Sequence, residues 1–297
     1  MKSPLSKLYA ITGKPKILGI ACSKRAANSC ARENAVSTAY LKMALNAAEK
    51  HGAETKLIEL KDLKINSCNG CYSTCPAQCR FNEKTFQCDC FPYKEDTFFP
   101  FEKNKMSIKE AYKKLSEKVF FEIYDNMNRV TPRDDMWIIY QAMMKSDGII
   151  FATDTNYYGR PALLQTMFSR LCAIDGGVEK IWGDGKNLAN SIKYSNNPKN
   201  FYKQRLYGKW SAFINCSKEG DSVSPDLMKA CTMMGMRILP MGVAYRVNWY
   251  NDPTHRQDYK NSLKDEYSIN LAKNIGKTMI EEIKKSDRTY GIKSKVV

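Results

Sequence analysis

The chain has 297 residues, 47 Lys+Arg against 31 Asp+Glu, 43% apolar residues and 11 cysteines. That length suits one large domain or two small ones, with a core that needs no disulfide staples, and the composition excludes wholesale disorder. No run approaches the ~18 apolar residues of a membrane-spanning helix. With only His51 and His255, any metal site would rest on cysteine, carboxylate or water.

The net charge of +16 favours anionic partners without choosing among a cofactor, an acidic electron-transfer protein and nucleic acid. The basic residues are dispersed, apart from a lysine-rich tail over 284–295, and read as a solvated surface. Met1-Lys2 followed by Ile17 to Cys22 superficially resembles a lipoprotein signal. Lys14, Pro15 and Lys16 interrupt it, and the apolar stretch falls short of the ~7–15 residues of a secretory core. A cytoplasmic protein is expected. The odd number of cysteines then points to thiol, metal or redox chemistry rather than a disulfide framework.

In chain order, residues 16–22 are a short apolar run that predicts a buried strand. A small polar loop, Ser23 to Ser29, precedes a helical pattern over about 30–50, with Val36, Tyr40, Met43, Leu45 and Ala47 on its apolar side and His51-Gly52 as the stop. Residues 54–60 predict a second strand. This β-loop-α-β unit opens a doubly wound parallel sheet. A cysteine loop and an irregular stretch follow to about residue 104. Ser107 with Glu110 reads as a capping box. A helix is expected from Thr131-Pro132 to Asp147-Gly148, with Asp134 and Asp135 near its positive end. Residues 149–153 predict the third strand and 161–171 a helix. Residues 175–208 read as a long excursion. A fourth strand is expected over 210–215, a helix over 225–235, a fifth strand over 238–247 and a last helix over about 263–284. With no internal repeat or low-complexity linker, residues 1–297 are expected to form one domain with inserts at about 66–130 and 175–208.

Three loops fall at one edge of this sheet. The first offers Ser23, Arg25, Asn28 and Ser29 beside a helix N-terminus, which is either a phosphate seat or merely a capped helix start. The second runs Thr153-Asp154-Thr155-Asn156-Tyr157-Tyr158-Gly159. Its adjacent tyrosines could flank a planar ring, because open α/β sheets bind ligands at the carboxyl ends of their strands; the plain alternative is a turn with buried aromatics. The third, Asn215 to Asp221, is polar and unspecific by itself.

The ordered set of strand–Ser-x-Arg-x-x-Asn-Ser–helix, Asp135-Met136, Ser146 to Thr153, Tyr157-Tyr158-Gly159, Leu163 and Phe168-Ser169-Arg170 resembles the NADPH-dependent FMN reductase family of flavodoxin-like proteins. The resemblance runs over most of residues 16–245 outside the inserts. It implies a flavodoxin-like α/β fold, a five-stranded parallel sheet with helices on both faces. It also implies that Ser23, Arg25, Asn28 and Ser29 hold the FMN phosphate. Thr153, Thr155, Asn156, Tyr157, Tyr158 and Gly159 would line the isoalloxazine, and Asn215, Cys216, Ser217, Glu219 and Gly220 would close the other side. The chain departs from the family at Asp154-Thr155, where a proline is common. A carboxylate facing the ring would lower its reduction potential.

Cys68, Cys71, Cys75 and Cys79 are closely spaced, and Cys88 and Cys90 follow. Soft thiolates at this spacing suit an iron–sulfur cluster or zinc; free or redox-active thiols are the alternative. The four positions would also share one helix face, but Gly70 and Pro76 argue against an unbroken helix. The loop resembles that of the iron–sulfur flavoprotein branch of the same family, whose gaps are usually two, two and four to seven residues. Here they are two, three and three, so Cys88 or Cys90 could replace Cys79 as the fourth ligand.

Together these features predict an FMN oxidoreductase that passes electrons between NAD(P)H or a ferredoxin and an acceptor, through FMN and one [4Fe–4S] cluster. No side chain is needed as acid or base. The resemblance also implies a homodimer or homotetramer. The alternatives are a flavin or quinone reductase without a cluster and a cluster-bearing sensor or nucleic-acid binder. The last lacks a helix-turn-helix or a concentrated basic patch.

Overall fold

The computed structural model describes residues 13–26, 28, 34–70, 81–82, 86–88, 91, 134–175, 204–217, 221–247 and 258–293. Five parallel strands form the central sheet: β1 (Lys16–Ala21), β2 (Glu54–Glu59), β3 (Gly148–Thr153), β4 (Trp210–Ser217) and β5 (Arg237–Val247). Their spatial order is β2-β1-β3-β4-β5, all pairs parallel. This is the flavodoxin-like order, with its switch point between β1 and β3.

The inner strands are apolar on both sides because both faces are covered. On one face lie α1 (Val36–Lys50) and the long C-terminal α7 (Glu266–Lys293), packed on Ile17, Ala21, Ile150, Ala152, Ala212 and Ile214. On the other lie α2 (Met136–Lys145), α3 (Ala162–Arg170) and α5 (Val223–Met233), against Leu18, Ile20, Ile149, Phe151 and Phe213. Two short helices, α4 (Cys172–Asp175) and α6 (Asp258–Ser262), complete the described set.

The apolar stripe of α1 differs from the expected one. Leu41, Ala44 and Ala48 are buried with Val36, Tyr40 and Leu45, whereas Met43 and Ala47 are half-buried. The reason is close helix packing. A Cβ on Gly276 of α7 would run into the Ala44 carbonyl and the Ala48 backbone. Small residues face each other there, so the two backbones approach. Gly148 likewise leaves room for Met279.

Other boundaries shift for local reasons. Helix α5 starts at Val223 rather than 225, with Pro225 in its first turn, where a missing N–H costs no helical bond. Helix α7 starts at Glu266 because Asp265 caps it: its carboxylate accepts from Ser268 N at 3.3 Å and Ser268 Oγ at 2.8 Å. It then runs beyond residue 284 to Lys293. Helix α1 is described from Val36 and α2 from Met136. The expected starts of both at 30–33 and 131–133, the helix capped by Ser107 and most of the 175–208 excursion lie outside the described residues.

Part of the cysteine-rich stretch after β2 lies on the α2 face. Phe81–Asn82 and Gln87–Cys88 pair as a two-stranded antiparallel ribbon. Phe81 meets Tyr140 of α2 edge-on at 5.3 Å, and Cys88 and Phe91 join the core beneath α2.

Candidate functional site

The carboxyl ends of β1, β3 and β4 meet at the switch point, where β1 and β3 are neighbours and β4 lies on the far side of β3. The ladder continues past β1 through Cys22 N to Ala152 O at 2.8 Å. This brings Ser23 beside the end of β3. Ser23 Oγ donates to Asp154 Oδ2 at 3.2 Å and accepts from Arg25 N at 3.2 Å. Burial pushes the Asp154 carboxyl above its usual range, against the opposing hydrogen bond from Ser23 and the charge of Arg25. Burial and Asp154 together hold the Cys22 thiol firmly neutral. Asn28 is exposed. Ser29 lies outside the described residues.

The β3 loop closes into a tight turn. Asn156 N donates to Gly159 O at 3.0 Å and Gly159 N to Asn156 O at 3.1 Å. Between them Tyr157 and Tyr158 have φ of 49° and 60°. Positive φ at both central positions is the type I′ arrangement, normally filled by Asn-Gly. Two tyrosines there store strain of about 1–3 kcal/mol each. They are also 91% and 66% exposed, so nothing in the core offsets that strain. The expected alternative of buried aromatics is overturned. Backbone strain of this kind clusters at ligand clamps and functional turns, and this turn stands at the carboxyl edge of the sheet, where open α/β folds take ligands.

The β3 and β4 loops are locked together beneath this turn. Buried Asn215 donates from Nδ2 to Thr155 Oγ1 at 3.1 Å and to Asp221 Oδ1 at 2.6 Å. The same Asp221 oxygen accepts from Ser224 N at 2.9 Å and so caps α5. Ser222 Oγ donates to Tyr158 O at 2.7 Å. Arg160 pairs with Asp226 at 2.5 Å and donates to its carbonyl at 3.1 Å. Thr153 is buried, and its hydroxyl donates to the Asp154 carbonyl at 2.9 Å.

Of the β4 residues proposed from sequence, Asn215 reaches the site. Cys216 does not: strand alternation turns it to the opposite face, against the α1 and α7 core. Ser217 is buried at the strand end. Glu219 and Gly220 lie outside the described residues. The sequence places Asp221 in the third loop without assigning it a role, and that loop stops short of Ser222. An Asp two residues before a helix start is the signal that would have found the first.

The cysteine loop starts from a rigid point. Cys68 Sγ accepts from Gly70 N at 3.4 Å, and Gly70 has φ of 68°. Cys172, not singled out from sequence, lies next to Cys68: burial and that neighbouring sulfur push its thiol up. Cys71, Cys75, Cys79 and Cys90 lie outside the described residues. Among the described residues no group of three ligating side chains forms a metal site. Cys88 is buried in the core beneath α2.

No protein-family model matches the chain, and no curated protein does. Among solved structures it is similar to RosB, described with the bound intermediate 8-demethyl-8-formylriboflavin-5′-phosphate. That likeness has a TM-score of 0.56 at 13% identity, over 93% of this chain and 81% of that one. The chain has the flavodoxin-like fold. A flavone reductase (TM-score 0.47, 17% identity, 91% of this chain and 63% of that one) and an archaeal flavodoxin (0.41, 10%, 91% and 99%) are more distant. No described helix is long and apolar enough to cross a membrane.

Proposed function

We propose that this chain is an FMN-dependent oxidoreductase. The observation that carries the reading is the Tyr157-Tyr158 pair, exposed and held at positive φ at the carboxyl edge of the sheet. Flat aromatic faces there can cover a planar ring and exclude water from it. The RosB fold, which accommodates a riboflavin-5′-phosphate derivative, supports a flavin as that ring.

In this reading Ser23, Arg25, Asn28 and Ser29 receive the phosphate. Thr155, Asn156, Tyr157, Tyr158 and Gly159 flank the ring. Asn215 works from below, holding the β3 and β4 loops at a fixed spacing through Thr155 and Asp221. FMN, when bound, supplies both two-electron and one-electron transfer. The protein contributes orientation, burial and the charge of Asp154 beside the seat. NAD(P)H or an acidic ferredoxin is the donor class that fits a chain of net charge +16.

The finer reading adds a [4Fe–4S] cluster on Cys68, Cys71, Cys75 and Cys79. Cysteine spacing and the amide-to-sulfur turn at Cys68 support it. Anaerobic purification, a visible spectrum and iron and sulfide quantitation test both levels. Flavin bands with about four irons and four sulfides per chain are expected. Flavin without iron removes the cluster and leaves the reductase. A protein that neither carries FMN nor takes it up overturns the oxidoreductase reading.

A further inference from the structure

The seat at the end of β1 already holds a carboxyl group of the protein's own. The one proton of the Ser23 hydroxyl is given to Asp154 Oδ2. The other carboxyl oxygen, Oδ1, is buried and has no hydrogen-bond partner among the described residues. A hydroxyl has a single proton to donate. A flavin phosphate arriving at Ser23 would therefore compete with Asp154 for that proton. It would also face a carboxylate in surroundings where like charges are poorly screened.

A neutral carboxyl removes both conflicts. It turns an orphaned acceptor into a donor and releases the Ser23 hydroxyl. We infer that binding of a flavin phosphate at this seat is coupled to the uptake of one proton by Asp154, whose carboxyl then donates to the phosphate while Ser23 turns from Asp154 to it. This rests on the FMN reading above. The proton comes from solvent and adds to the carboxylate; no other bond forms or breaks, and no electrons move.

The other ionisable groups facing Asp154 among the described residues do not substitute for it. Arg25, on the loop after β1, is a guanidinium, a group that only donates hydrogen bonds. Cys22, at the end of β1, is held as the thiol by burial. The residues flanking Asp154, Thr153 and Thr155, do not ionise. Asp154 is thus a binding residue whose charge state sets what the seat accepts.

The test is calorimetric titration of FMN into the full chain, in buffers of different ionisation enthalpy, for the wild type and D154N. Above pH 7.5 the phosphate is already a dianion, since its second pKa is about 6. There the wild type is expected to take up about one proton more than D154N. Its Kd should weaken by up to about tenfold per pH unit more steeply than that of the variant. Riboflavin, without the phosphate, should show no such difference. D154S replaces D154N if the latter does not fold. Equal proton counts with parallel Kd–pH curves overturn the inference alone, as does the same proton uptake with riboflavin. Failure of both proteins to bind FMN overturns the FMN reading and the inference with it.

Discussion

Arg170 and Asp134 form a two-pronged ion pair inside the protein, Nη1 to Oδ2 at 2.7 Å and Nη2 to Oδ1 at 3.2 Å, with only 2% and 4% of the residues exposed. Both partners also grip one backbone position. Arg170 Nη1 donates to Asn66 O at 3.0 Å, and Asn66 N donates to Asp134 Oδ2 at 3.0 Å. Asp134 further accepts from Met136 N at 3.1 Å at the start of α2. Tyr140 donates to Arg170 O at 2.6 Å, and Phe91 lies under the guanidinium at 3.8 Å. The pair thus ties α2 and α3 to the segment two residues ahead of Cys68.

Removing one partner leaves a buried charge alone. R170M should cost about 3–5 kcal/mol, and D134N/R170M should recover part of that by neutralising the stranded carboxylate. Urea denaturation midpoints measure both. A loss below about 1 kcal/mol for R170M would show that the pair does not anchor this junction.

The tyrosine turn trades stability for binding. Y157N/Y158G places the preferred type I′ residues at φ of 49° and 60° and should raise stability by about 1–3 kcal/mol. FMN affinity should fall at least tenfold as two aromatic faces are lost. Thermal melts and flavin fluorescence titrations read the two effects separately. A variant that is both more stable and equally avid for FMN would remove the tyrosines from the site.

Asp154 makes stability depend on pH with a definite sign. Burial raises its carboxyl in the folded protein, so between the unfolded value of about 3.9 and the folded one the native state holds more protons. This group's contribution therefore weakens stability as pH rises through that window. D154N keeps an oxygen for Ser23 and carries no charge. It should melt higher than the wild type at pH 7, with the gap shrinking toward pH 4. A gap that grows on acidification would reverse the assignment.

Gly276 is required by closeness rather than by backbone angle. A methyl group there meets the Ala44 carbonyl across the α1–α7 contact. G276A should lower stability by about 1–3 kcal/mol despite alanine's better helix propensity, seen as a reduced thermal midpoint. An unchanged midpoint would mean that the helices separate without cost.

The strand–helix order was legible from the chain alone because the inner strands are buried on both faces and read as continuous apolar runs, such as Ile149 to Ala152. That order alone puts Ser23, Thr155 and Asn215 at one edge of the sheet. Periodicity was less informative on α1, where Ala44 and Ala48 are weak apolar signals and their burial is set by Gly276, more than two hundred residues away in the chain. The Arg170–Asp134 pair was invisible for the same reason: charged residues in sequence read as surface, and only the folded neighbours, Asn66, Phe91 and Tyr140 among them, enclose the pair. Alternation along β4 turns Cys216 away from the site, yet which face of the sheet carries the site depends on which helices cover it. The exposed, strained conformation of Tyr157-Tyr158 and the grip of Ser23 on Asp154 also emerge only in three dimensions. Local sequence governs propensity and spacing; burial, charge pairing and strain are properties of neighbours brought together from distant parts of the chain.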